Sequence, residues 1–127
     1  MIAALSPWHE AHDRARAELA DEDRSLIGHV ALESISTLSR MPEPHRVGPS
    51  VVLEALEAGF SAPWLVLDAA ALRDAIAGIV AAGIRGGTVY DGLIGATAAQ
   101  HGARLISADR RAAAAYDALG VDVVLVG

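Results

Sequence analysis

The chain of 127 residues contains no cysteine and no lysine. Without cysteine there is no disulfide and no thiolate metal site, which is compatible with a cytoplasmic protein. Without lysine there is no Walker-type phosphate-binding motif, and no glycine-rich nucleotide loop replaces it. Aromatic residues make up only 4% although hydrophobic residues reach 53%. The apolar content is therefore mostly Ala, Val, Leu and Ile, as expected where helices pack closely on a sheet. No run approaches the roughly 20 apolar residues of a membrane span. No basic flank precedes an apolar run at the N-terminus, so no signal peptide is expected. Positive charge is also scarce: 10 basic against 16 acidic side chains leave a net charge of −6 and a pI near 5.2. That balance argues against a protein that coats nucleic acid electrostatically. Acids that hold a divalent cation can nevertheless meet a phosphate, because the metal supplies the positive charge.

What is present reads as alternating helices and strands in one domain, 1–127, without repeats or low-complexity linkers. Residues 1–20 are expected to be helical, with Trp8, Ala11, Ala15 and Leu19 recurring at three- and four-residue steps. A short strand over 25–29 and a helix over 30–40 follow. Pro42, Pro44, Gly48 and Pro49 then mark a loop over 41–49. Further helices are expected over 50–58, 69–82, 90–100 and 110–119, with strands over 64–67, 103–107 and 121–126. Strands separated by helices indicate an α/β fold, a mostly parallel sheet with helices on both faces.

Ligands of such sheets gather beyond the carboxyl ends of the strands. Asp109 stands there, two residues after Ser107, and reads equally as the N-cap of the helix that follows. Asp91 opens a helix, and Thr88-Val89-Tyr90-Asp91 has the spacing of a capping box with Asp in place of Glu. The helix behind it is small or apolar on nearly every side, so burial is expected, and a carboxylate at its mouth needs a partner. Glu33 lies beside a stripe of Val30, Leu32, Ile35 and Leu38. Periodicity there does not separate a ligand from an exposed glutamate. Asp68 is expected to cap the helix from Ala69. His9 and His12 are three apart, not four as in the zinc-peptidase motif, and read as a surface pair. Gly86-Gly87 reads as a turn.

Two segments carry a likeness together: Tyr90-Asp91-Gly92-Leu93-Ile94-Gly95-Ala96-Thr97-Ala98 and His101-Gly102-Ala103-Arg104-Leu105-Ile106-Ser107-Ala108-Asp109-Arg110-Arg111. They resemble a PIN domain, most closely the VapC type of toxin ribonuclease. Ala115 to Val121 and the segment from Ala31-Leu32-Glu33 to Arg40 share the likeness, which covers essentially the whole chain. The resemblance implies a PIN-like three-layer fold and a divalent-metal-dependent endoribonuclease of a toxin–antitoxin pair. It implies Glu33, Asp91 and Asp109 as acids around Mg²⁺ or Mn²⁺, with Ser107 lining the site. Arg104, Arg110 and Arg111 are candidates for phosphate contacts, each equally readable as a surface arginine. The implied partners are an RNA substrate (transfer or ribosomal RNA), a VapB-like antitoxin and a second copy of the chain. Residues 1–6 match the family's first helix, so its opening strand and first aspartate are expected to lie upstream of Met1. A competing expectation is a catalytically impaired PIN-like module that only binds a partner. A receiver-like domain fits poorly, because it needs an acidic pair ending its first strand and a late lysine.

Overall fold

The structure, a computed structural model, describes residues 1–20 and 23–126. Seven α-helices and two strands are present among them. The chain divides into two compact units, Met1–Trp64 and Leu65–Gly127.

The first unit holds α1 (Ile2–Leu5), α2 (His12–Glu18), α3 (Gly28–Ser39) and α4 (Pro49–Gly59). The single helix expected over 1–20 is thus two short ones. Pro7 has no N–H to donate and disfavours helical backbone at the residue before it, and Ser6 is accordingly extended, at φ −117° and ψ 99°. The His12 imidazole Nδ1 and the Ala3 carbonyl, 2.8 Å apart, tie the two pieces together. The strand expected over 25–29 is a single bridge at Ile27, because α3 begins at Gly28 and leaves no length for pairing. Val52, Leu56 and Phe60 of α4 and its C-cap meet Leu26, Ala31 and Leu38 in this unit's core. Arg24 donates to the Gly59 and Leu19 carbonyls at 2.8 and 2.9 Å, satisfying two helix ends that lack intrahelical partners. The proline-rich loop forms as expected, but Pro49 already belongs to α4, at the first turn where its missing N–H costs nothing. His45 of that loop stacks on Trp8, ring centroids 4.3 Å apart.

The second unit holds α5 (Ala69–Ala81), α6 (Thr88–Gln100), β1 (Leu105–Ser107), α7 (Ala113–Ala118) and β2 (Val123–Leu125). Asp68 caps α5 as expected, its Oδ1 accepting from the Ala71 N–H at 2.8 Å. The strand expected over 64–67 is reduced to a bridge at Leu65. Pro63 offers no donor on one side and Asp68 is committed to its helix on the other. The helix expected over 110–119 begins as a 3₁₀ turn, Arg110–Ala112, before α7 takes over.

The two strands pair in parallel, Leu105 opposite Val123 and Ser107 opposite Leu125, with α7 in the crossover between them. This is the β–α–β connection that the alternation of apolar runs implies. Helix α6 packs beneath it with little side chain in the way. Gly92, Ile94, Gly95, Thr97 and Ala98 are all buried. An alanine methyl at Gly95 would stand 2.9 Å from Val121 Cγ2 and 3.1 Å from Tyr116 Cδ1; one at Gly92 would stand 2.9 Å from Ile79 Cγ1. The two glycines therefore let α6 approach α5 on one side and α7 with the β2 lead-in on the other, more closely than any other residue would allow. Among the described residues no helix is long and apolar enough to cross a membrane.

Candidate functional site

Asp109 follows β1 by two residues, where the strand has ended and the chain turns into the 3₁₀ segment. Its carboxylate is half-buried and acts as the cap of that turn: Oδ1 accepts from the Arg111 N–H at 2.9 Å. The same residue reaches back with its side chain. Arg111 Nε donates to Oδ1 at 3.2 Å and Nη2 to Oδ2 at 3.4 Å. Ser107 contributes from the strand end, its hydroxyl oxygen accepting the Asp109 N–H at 3.1 Å. Of the two readings of this residue, the cap is the one observed: Oδ1 takes the Arg111 N–H, and Oδ2 faces the Arg111 guanidinium.

Partial burial alone would raise the Asp109 pKa. The hydrogen bonds from the Arg111 side chain and backbone outweigh it, helped by the guanidinium charge and the Ala112 N–H. The net effect holds this carboxyl below the usual aspartate range. Arg111 in turn is held more firmly charged, first by its hydrogen bond to Asp109, then by that charge, with a further contribution from Asp91. One guanidinium thus senses both carboxylates.

Asp91 is half-buried in the first turn of α6, where the positive end of the helix dipole favours an acid. The capping box expected from Thr88 does not form. Gly87 is the N-cap and Thr88 the first helical residue, because the Gly86-Gly87 turn, with Gly86 at φ +65°, starts the helix one residue early. The close packing of Gly92 and Gly95 fixes the helix that carries Asp91.

Glu33 belongs to the first unit. It is exposed and pairs with His29 one turn earlier, Nε2 to Oε1 at 3.2 Å. It also lies within electrostatic reach of the Met1 amino group, whose pKa is lowered by burial and raised in part by Glu33. The stripe beside which it was expected is rotated. Ala31, Ser34 and Leu38 are buried, whereas Leu32 is 65% exposed. Ser34 enters the core by donating its hydroxyl to the Val30 carbonyl at 2.7 Å, which a hydrophobicity pattern does not register.

Of the arginines, Arg111 is at Asp109, while Arg104 pairs with Asp122 at 3.1 Å and both are largely exposed. Arg110 is exposed. His9 and His12 hold backbone groups: His9 Nδ1 accepts the Ala11 N–H at 3.1 Å, and His12 sits at the Ala3 carbonyl. Among the described residues no three His, Cys, Asp or Glu side chains gather closely enough to enclose a metal by themselves. Sequence reasoning missed the grip of Arg111 on Asp109. The signal was a basic residue two places after an N-cap acid, close enough to fold back over it.

Residues 1–118 match the PIN domain family. The chain is 38% identical over 126 residues to Ribonuclease VapC40 of Mycobacterium tuberculosis, in strains CDC 1551 / Oshkosh and ATCC 25618 / H37Rv, covering 99% of this chain and 93% of that protein. It is 35% identical over 124 residues to Ribonuclease VapC27 of strain ATCC 25618 / H37Rv, covering 98% and 90% respectively. No solved structure matches significantly. A parallel β–α–β unit with an acid beyond its first strand, an acid-opened glycine-bearing helix and these end-to-end similarities converge: the chain belongs to the PIN-domain family, in its VapC type.

Proposed function

We propose that this chain is a VapC-type endoribonuclease that hydrolyses RNA phosphodiesters with the help of a divalent cation, Mg²⁺ or Mn²⁺. The observation that carries the reading is Asp109, an acid beyond the end of a parallel strand, in a chain similar throughout to proteins named ribonucleases. The donor chemistry fits a hard cation. Such ions take carboxylate oxygens, and Mg²⁺ commonly uses one or two of them while keeping its waters. Asp109 and Asp91 are the two acids we assign, both sensed by one guanidinium; Glu33 is the third, assigned by family resemblance. When bound, the ion supplies a more acidic water and neutralises charge building on the phosphate.

The chain's own residues set the stage. Arg111 and two backbone N–H groups favour the charged form of Asp109. Ser107 fixes the backbone turn that aims it. Arg104, Arg110 and Arg111 are proposed phosphate contacts, which an acidic protein needs locally. We further assign the toxin role, with a VapB-like antitoxin as partner, a transfer or ribosomal RNA target, a homodimer, a cytoplasmic location and one PIN domain spanning both units.

The test is cleavage of total RNA in Mg²⁺ or Mn²⁺ by the chain, shown folded by circular dichroism, beside Asp109→Asn. Cleavage by the parent and none by the variant is expected. A folded parent that leaves RNA intact yet captures an antitoxin would instead make the protein a PIN-like binding module.

A further inference from the structure

We propose that Arg111 is a placeholder cation: it occupies the Asp109 carboxylate when no metal is bound, gives way to the divalent ion, and thereby lowers the metal affinity of the site. The proposal rests on the metal reading of Asp91 and Asp109 given above.

The geometry separates two kinds of bond on one carboxylate. The Arg111 backbone N–H holds Oδ1 at 2.9 Å, and this bond belongs to the turn itself. The side chain adds Nε on Oδ1 at 3.2 Å and Nη2 on Oδ2 at 3.4 Å, the longer and weaker contacts. A cation arriving at Oδ2 meets the guanidinium there, while the Arg111 backbone bond on Oδ1 keeps the carboxylate in its rotamer. Displacement is easy because the Arg111 side chain is 93% exposed, and exposed ion pairs contribute little. An exposed head on a flexible stem also loses nothing to packing when it swings away.

Asp91 adds a smaller charge contribution at the same guanidinium. Arg111 offsets the Asp109 charge in the metal-free protein, and the divalent ion would offset it in the loaded one. Once displaced, the guanidinium remains two residues from Asp109, with its donors released for a phosphate oxygen. Arg111 is therefore a positioning residue whose availability to RNA depends on metal occupancy.

Mn²⁺ titrated into the folded full chain, with free Mn²⁺ read by electron paramagnetic resonance, tests this without any cleavage assay. Arg111→Gln should bind Mn²⁺ about fivefold more tightly than the parent, the equivalent of losing one exposed competing ion pair. Arg111→Lys, which keeps the charge but not the two-nitrogen grip, should fall between them. Arg104→Gln removes the same charge from a side chain paired with Asp122 and should shift binding by less than about twofold. Arg111→Gln binding no more tightly than the parent would overturn the proposal, as would an equal gain in Arg104→Gln. Failure of the underlying metal reading looks different: the parent would not bind Mn²⁺, or Asp109→Asn would bind it equally well.

Discussion

Replacing Gly95 by alanine sets two known effects against each other at a position where the geometry decides the sign. Alanine is favoured over glycine in a helix interior by about 1 kcal/mol. At Gly95, however, the new methyl would stand 2.9 Å from Val121 Cγ2 and 3.1 Å from Tyr116 Cδ1. Neither neighbour is the loose end of a flexible side chain: one is a β-branched methyl, the other a rigid ring, and both residues are buried. Forcing a methyl into such packing costs about 1–3 kcal/mol, so the net outcome is a loss of about 1 kcal/mol. Gly78 provides the matched control. It lies in α5, where an added methyl would have no neighbouring atom within 4 Å, so Gly78→Ala should gain about 1 kcal/mol. The two variants should differ by about 2 kcal/mol, or roughly 8 °C in Tm for a chain of this size. Urea and thermal unfolding followed by circular dichroism, without metal, measure this directly. If Gly95→Ala proved as stable as Gly78→Ala, close helix packing would not be what fixes α6, and the account of how Asp91 is held would fail with it.

Three further outcomes are expected. Asp68→Ala removes the cap of α5 and should cost about 1 kcal/mol in urea unfolding, with Asp68→Asn largely retaining the cap. Leu56→Ala empties a fully buried site in the core of the first unit and should cost about 2–5 kcal/mol, which an unchanged denaturation midpoint would contradict. Asp109 should titrate below the ordinary aspartate range in carboxyl-detected NMR of the metal-free protein, and move upward in Arg111→Gln. Because its folded pKa is depressed, its contribution to stability is present above the unfolded-state pKa and disappears as pH falls through the folded value.

The helices with clear punctuation were legible in the sequence. Asp68 before a run of alanines announced both the start of α5 and its cap, and the glycines at 83, 102 and 120 marked where α5, α6 and α7 end. Asp109 was legible as an acid beyond a strand, although its two roles were not separable until the contacts of Oδ1 and Oδ2 were known. Other features depended on competition between neighbours. Thr88 has the composition of a cap, yet Gly86-Gly87 makes a turn that starts the helix first. The strands expected over 25–29 and 64–67 have suitable side chains, but α3 takes the residues of one and Pro63 and Asp68 bracket the other. Leu32 is apolar and exposed while Ser34 is polar and buried, a reversal made possible by one hydroxyl bonded to the carbonyl a turn behind it. Such choices are settled by packing and by local hydrogen bonds, which a pattern of hydrophobicity does not carry.

The residues that shape Asp109 are Ser107, Arg111 and Ala112, all within a span of six consecutive positions. The acid thus arrives as a prefabricated part, with its orientation written into the local chain rather than borrowed from distant supports. A part of that kind tolerates change around it. Loops and helices elsewhere can drift toward a different RNA or a different partner while this carboxylate keeps its aim, so variation in what is recognised need not disturb the acid proposed to do the chemistry.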